Sequence, residues 1–435
     1  MAKKDLDWGN IGFKYRQTDK RFVANFKDGK WDEGSLIDDP TVTLNESAGM
    51  LQYCQQVFEG MKAYTWEDGS VVCFRPDMNA ERMYNSAQRI EMPSVPKELF
   101  LKAIDEVVKA NIDWVPPYGS GASLYIRPYE FATGIVIGVA PADEYQFRVF
   151  TTPVGPYYKG GATPIAIQVS DFDRAAPKGT GAVKAGLNYA MSLHSSVIAH
   201  SNGYAENLYL DPATRTYVEE TGGSNVIFVD KDGNLVVPKS DSILPSITRR
   251  SIVYIAEHYL NLKVDERPVR YDEIKNFKEC ALCGTAAVIS PVGRIVNHDE
   301  VIEFPSGMEK AGEVVWYSNL FYTQSSLVLH YENEKIRNYS LCLMTSKTNF
   351  YERIDYQSEN LEIVEAGRAI SIVTAYKNEV NINQLESLIK QSLVKYPKYC
   401  IKSDPFTRLV TSYRDELCEK VNIIELMIPL QKIKK

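Results

Sequence analysis

Gly179-Thr180-Gly181-Ala182-Val183-Lys184-Ala185-Gly186-Leu187-Asn188-Tyr189 sets one lysine in a glycine-bracketed loop ahead of a helical segment. A lone loop lysine is ordinarily a solvated charge, so this stretch gains meaning only from what surrounds it. Before it, 164–170 reads as a strand; after it, 187–202 reads as a helix ended by Gly203. Three further clusters follow, each tens of residues on. Glu219-Glu220-Thr221-Gly222-Gly223-Ser224-Asn225 precedes the apolar strand 226–229. In Leu244-Pro245-Ser246-Ile247-Thr248-Arg249, Ser246 can cap a helix over 246–260, and the free amides of a helix start also suit a phosphate. Cys283-Gly284-Thr285-Ala286-Ala287 reads as a turn leading into a closing strand at 285–289. With strands at 206–210 and 235–237, residues 162–320 form a mixed α/β domain.

Working toward the N-terminus, 153–161 is rich in chain breakers and reads as an interdomain linker. Residues 1–152 then make a smaller α/β domain. Its strands at 22–30 and 62–75 fold around Asp28-Gly29 and Asp68-Gly69, its helices span 77–91 and 97–114, and further strands lie at 122–127 and 145–152. Toward the C-terminus the character changes near residue 313: 25 of the 26 glycines lie in 1–313, so the glycine-dependent turns of a phosphate site belong there.

The 435 residues carry 49 basic and 56 acidic side chains, a net charge of −7, which argues against nucleic acid or an anionic membrane as partner. Seven cysteines, an odd number with no framework spacing, indicate a reducing compartment. The opening residues lack a signal peptide's apolar core, and no run is long enough to span a bilayer, so the expected location is cytoplasmic. Cys280-Ala281-Leu282-Cys283 invites a metal or redox reading, but no paired ligands lie nearby and structural cysteines are expected, with no metal.

Taken together and in order, the clusters resemble the branched-chain amino acid aminotransferases, fold-type IV pyridoxal-phosphate enzymes of mixed α+β, two-domain architecture (the D-amino acid aminotransferase-like fold). The resemblance runs from about Leu6 to Gly312. It includes Phe58-Glu59-Gly60-Met61-Lys62-Ala63-Tyr64, Phe74-Arg75-Pro76, Glu81-Arg82-Met83 and Leu124-Tyr125-Ile126-Arg127-Pro128. Same-fold alternatives are a D-amino acid aminotransferase and an aminodeoxychorismate lyase, against which Tyr125-Ile126-Arg127-Pro128 argues; a cofactor-binding scaffold without turnover is a third.

The resemblance implies pyridoxal 5′-phosphate as cofactor and a role for each matching residue. Lys184 is the lysine that tethers the cofactor and moves the substrate's α-proton. Glu220, rather than its neighbour Glu219, holds the ring nitrogen protonated, and Tyr189 bonds the phenolic oxygen. Arg82, Ile247, Thr248 and Thr285 take the phosphate; read alone, Arg82 is equally a salt-bridged helix arginine. Gly223, Thr285 and Ala286 receive the substrate α-carboxylate, with Gly223 standing where many relatives have threonine. Phe58, Tyr53, Tyr125 and Tyr189 wall the side-chain pocket, and Arg127 with the Tyr53 hydroxyl catches the distal carboxylate of glutamate. Val139 matches the apolar tip of a loop supplied by a partner subunit, which implies a homodimer acting on amino and 2-oxo acids. A redox C-x-x-C of mammalian relatives falls here at Ala287 and Ser290 and does not carry over.

The tail, 321–435, is an additional α/β segment that the resemblance leaves unexplained. The capping-box pattern at Ser306-Gly307-Met308-Glu309 predicts a helix running on through Trp316 and Phe321. Beyond it, 368–377 reads as a strand and 383–395 as an amphipathic helix. The run 380–397 resembles the opening of condensation-type acyltransferase domains, yet no histidine follows His330 to supply that family's motif. The tail reads as a fused fragment, a docking module or a reading-frame accident.

Overall fold

The computed structural model describes residues 3–66, 69–155, 157, 163–176, 178–258, 260 and 262–312. Beyond these it describes Ile389 and the backbone of strands at 325–332, 335–343, 369–377, 399–401, 406–414 and 420–432. The chain divides into two compact units, Met1–Trp316 and Tyr317–Lys435.

The first unit holds two sheets with separate cores. In the N-terminal sheet the long antiparallel pair Ser123–Ala132 and Tyr145–Val154 is flanked by Arg21–Lys27 on one side and Met61–Thr65 on the other. Asp28 (φ 51°) and Gly29 (φ 76°) turn Arg21–Lys27 back into Lys30–Trp31, the positive φ pair a two-residue hairpin requires. Helices Pro76–Arg89 and Lys97–Ala110 cover one face, burying Met83, Ala87, Phe100 and Val107 against Leu124, Ile126 and Phe147. Their apolar residues recur at helical spacing, which is why the sequence announces them.

The second sheet is mixed. Its central strands Glu279–Gly284 and Val288–Asn297 are antiparallel, whereas Ile165–Val169 runs parallel to both Val288–Asn297 and Glu206–Leu210. Ile167, Leu208, Phe228, Leu282 and Ile295 form its core.

Several elements differ from expectation. The helix expected over 187–202 is two helices, Gly186–Met191 and Leu193–Ser201. Ser192 divides them, its hydroxyl donating back to the Asn188 and Tyr189 carbonyls at 3.0 and 3.2 Å. The closing strand begins at Val288, and Thr285–Ala287 is the hairpin turn joining it to Glu279–Gly284. Residues 305–309 form a turn instead of the expected helix start, because Gly307 adopts φ +60°. Pro153 and Val154, placed in the linker, are paired with Leu124 and Ser123; Pro156 and 158–162 lie outside the described residues.

In the second unit the described strands are all antiparallel, in the order Lys335–Leu343, Ser325–Glu332, Phe406–Arg414, Lys420–Lys432, Ala369–Lys377. The expected strand at 368–377 is Ala369–Lys377, and the expected helix at 383–395 lies outside the described residues save Ile389.

Candidate active site

The Lys184 loop is fixed from within. The buried Asn188 amide donates to the Thr180 and Val183 carbonyls at 2.6 and 2.8 Å and accepts from the Thr180 hydroxyl at 2.8 Å. The loop is also stitched to the N-terminal sheet: the Phe58 amide donates to the Lys184 carbonyl at 3.0 Å, and Ala185 bridges Val57. The Lys184 side chain therefore emerges where the two sheets face each other. Its Nζ donates to the Tyr189 hydroxyl at 2.8 Å and lies 4.8 Å above the Phe58 ring. Phe58 and Tyr189 meet edge-on at 4.9 Å.

Two carboxylates, Glu220 and Glu59, are buried and held by several partners each. Glu220, on the strand Tyr217–Thr221, accepts from the Leu244 amide (2.8 Å) and the Asn225 side chain (2.6 Å) and pairs with Arg174 at 2.6 Å. Burial pushes its carboxyl above the ordinary carboxylate range, opposed by the Arg174 charge. Glu219 points away, to the Ser240 and Ser242 hydroxyls, as strand alternation requires. The second carboxylate, Glu59, grips Arg82 through two hydrogen bonds of 2.7 Å, while Arg82 also donates to the Pro245 carbonyl at 3.0 Å. Arg82 is thus salt-bridged and at the same time held at the start of helix Ile247–His258. Ser246 caps that helix by accepting the Arg249 amide at 3.1 Å. A cavity of about 590 Å³ opens there, lined by Arg82, Ser86, Val183, Pro245 and Ile247. Lys184 is not among its walls.

The remaining expected residues sort into two groups. On Ser123–Ala132, Tyr125 and Arg127 share the face turned from the core; Arg127 lies 4.9 Å above Phe58 and donates to the Tyr125 hydroxyl at 3.2 Å. A Cβ on Gly60 would overlap that hydroxyl, so any larger residue here would have to displace the Tyr125 ring. Thr285 in the hairpin turn donates to the Gly60 carbonyl at 3.2 Å, with Ala286 beside it. Gly223 lies against Glu206, a buried carboxylate that the Gly222 and Gly223 amides face. Tyr53 and Val139 do not join this cluster within one chain. The Tyr53 hydroxyl bonds the Ile137 carbonyl rather than meeting Arg127, because residues 47–49 are zipped to 134–136 by backbone bonds. Val139, 88% exposed, sits at the loop's outer end.

Glu59, Arg174, Glu206 and the ring of Phe13, which packs edge-on against both Tyr125 and Tyr157, went unread in the sequence. For Glu59 the available signal was its place inside Phe58-Glu59-Gly60. Cys280 and Cys283 are buried with burial raising both thiols, and among the described residues no cluster of three or more His, Cys, Asp or Glu could hold a metal. No described helix is long and apolar enough to cross a membrane.

A lysine paired to a tyrosine, a buried carboxylate and an arginine at a helix start suit a phosphorylated, ring-nitrogen cofactor bearing an aldehyde. Known proteins agree. Residues 56–295 match the family model "Amino-transferase class IV". The chain is 50% identical over 311 residues to a branched-chain-amino-acid aminotransferase of Haemophilus influenzae, covering 70% of this chain and 91% of that protein. It is 47% identical to that of Helicobacter pylori, covering 69% and 89%. The crystal structure of a branched-chain amino acid aminotransferase from Thermobaculum terrenum in its PLP form superposes with a TM-score of 0.59 at 27% identity, over 70% of this chain and 93% of that one. With half of the 311 aligned residues identical across 91% of a relative, the chain belongs to the branched-chain-amino-acid aminotransferases of class IV.

Proposed function

We propose that this cleft exchanges the amino group between leucine, isoleucine or valine and 2-oxoglutarate, with Lys184 as its catalytic residue. When bound, pyridoxal 5′-phosphate supplies the electron-withdrawing ring on which amino groups are passed. The observation that carries the assignment of Lys184 is its 2.8 Å bond to Tyr189 at the junction of the two sheets. There the amine can both tether the cofactor and carry a proton.

The other residues bind and orient. Glu220 holds a positive ring nitrogen, and Tyr189 holds the neighbouring oxygen. Arg82, Ile247, Thr248 and Thr285 take the phosphate, with Glu59 keeping the Arg82 guanidinium in one orientation. Phe58, Tyr125 and Tyr189 exclude water from the apolar side chain, and Arg127 receives the distal carboxylate of glutamate. Thr285, Ala286 and Gly223 serve the α-carboxylate. Tyr53 and Val139 are exposed on one laced segment, with the Tyr53 hydroxyl bonded to Ile137 and not to Arg127, which supports their serving a second copy's cleft in a homodimer. We place the enzyme in the cytoplasm and read the two sheets as a small and a large domain joined after Val154, by 155–161.

The test is a leucine/2-oxoglutarate assay of the wild-type enzyme and Lys184→Ala, with borohydride reduction and peptide mapping. Turnover lost in the variant, with the label on Lys184, supports the reading. A label on Lys178, or wild-type protein inert toward leucine, overturns it.

A further inference from the structure

The helix Pro76–Arg89 carries two rows of side chains. Ala80, Met83 and Ala87 are buried in the core of the N-terminal sheet. Beside them, Asn79, Arg82, Ser86 and Arg89 recur at intervals of three, four and three residues, which sets them in one polar row along the helix. Each member of that row holds part of the cleft's frame. Asn79 donates to the Glu59 carboxylate at 2.7 Å and to the Gly60 carbonyl at 3.2 Å. Arg82 binds Glu59 and the Pro245 carbonyl. The Ser86 hydroxyl accepts the backbone N–H of Lys184 at 3.1 Å, and Arg89 donates to the Gly179 carbonyl at 3.1 Å, at the other end of the same loop.

Ser86 has no part in the roles above. It is 2% exposed and sits inside a helix, where serine is a poorer helix former than alanine. What it secures is the Lys184 N–H, which meets no other acceptor among the described residues. The Lys184 carbonyl is taken by the Phe58 amide. Both backbone groups of the lysine are therefore held by the N-terminal sheet and its helix, although its loop connects two strands of the second sheet. Arg82 and Ser86 stand about one helical turn apart, roughly 6 Å along the axis.

We propose that Ser86 is a positioning residue for Lys184, and that the polar row it belongs to works as a splint. One helix sets the separation between the arginine that grips the cofactor's phosphate and the lysine that captures its aldehyde. A ligand attached at both points gains from that preset spacing, because the lysine backbone is already ordered when the cofactor arrives. A ligand attached through its phosphate alone gains nothing from it. The inference rests on the cleft assignment made above and adds a residue to it.

The experiment compares the full chain, freed of cofactor, as wild type, Ser86→Ala and Ser86→Thr. Two ligands are titrated at equilibrium: pyridoxal 5′-phosphate, and pyridoxine 5′-phosphate, in which an alcohol replaces the aldehyde. Ser86→Ala should weaken the first by roughly 2- to 13-fold, the worth of one hydrogen bond, and leave the second unchanged. Hydrogen exchange of the Lys184 amide should quicken in this variant, while that of Met83 and Ala87 on the same helix stays as in wild type. Ser86→Thr keeps the hydroxyl and should recover most of the lost affinity. Equal losses for the two ligands, or a Lys184 amide that exchanges as in wild type, would overturn the proposal and make Ser86 a packing residue. Should Ser86→Ala fail to fold, Ser86→Cys, whose thiol accepts poorly, carries the same comparison. Failure of the cleft assignment is distinguishable, since borohydride reduction of the wild-type complex would then label a lysine other than Lys184, or none.

Discussion

Arg174 and Glu220 form an ion pair of 2.6 Å in which each side chain is about 4% exposed, and the same guanidinium also donates to the Gly181 and Ser242 carbonyls. One charge therefore ties the carboxylate proposed to hold the cofactor ring to the loop that leads to Lys184. Arg174→Met should leave Glu220 buried without its counter-charge and raise its carboxyl further. The Glu220 carboxyl already sits above its unfolded value, so its contribution to stability is full in acid and declines as pH rises through the folded value. The variant should lose about 3–5 kcal/mol near neutral pH and less at pH 5, measured by chemical denaturation of the apoprotein. Adding Glu220→Gln should restore part of the loss; a pH-independent loss that the second change does not touch would contradict the argument.

Glu219 and Glu220 are adjacent and equally buried but point to opposite sides of the strand Tyr217–Thr221. Glu220→Gln keeps the shape and removes the charge, so kcat should fall steeply with cofactor still bound. Glu219→Gln should leave kcat close to wild type, its loss confined to two hydroxyl bonds. Steady-state kinetics with cofactor absorbance decides; equal losses in kcat would mean that both carboxylates act on the site.

Arg127 is stacked over Phe58 and bonded to Tyr125, so it can brace the wall as well as bind. If it binds the distal carboxylate, Arg127→Met weakens glutamate and 2-oxoglutarate by about 1.5–3 kcal/mol, roughly 10- to 150-fold, and spares leucine. Half-reaction kinetics with each amino acid separates the roles, since a brace would cost both substrates alike.

Glu130 faces the N-terminal core from the strand Ser123–Ala132, and both its carboxylate oxygens are buried without a hydrogen-bond partner among the described residues. Burial holds its carboxyl well above the ordinary range. Its stability contribution is full below the unfolded value and is lost as pH rises toward the folded one. Glu130→Leu should therefore stabilise the protein by about 1–4 kcal/mol, more at pH 8 than at pH 5. Denaturation at the two pH values tests this, and a gain that shrinks with rising pH would refute it.

What could be read beforehand was whatever depends on near neighbours in the chain. The apolar spacing of Met83 and Ala87 and the Asp28-Gly29 turn declare their elements locally. The motifs around Lys184, Glu220 and Thr285 declare a family because they recur in order. The misses depend on contacts made after folding. Ser192 breaks a helix only through bonds to particular carbonyls. Glu59 and Arg174 look like surface charges until a second sheet or loop covers them. Tyr53 matches a pocket residue, but which pocket it serves depends on the loop to which its helix is laced.

That lacing of 47–49 to 134–136 has a genetic consequence in the homodimer proposed above. Tyr53 and the Val139 tip travel as one piece, and in that dimer they serve the Lys184 of the other chain. A chain without Lys184 and a chain with a ruined tip would each be inert as pure populations. Mixed, they would form hybrid pairs in which one cleft combines the intact lysine of one parent with the intact tip of the other. Two null alleles would then complement each other, and activity would reappear on mixing two dead proteins.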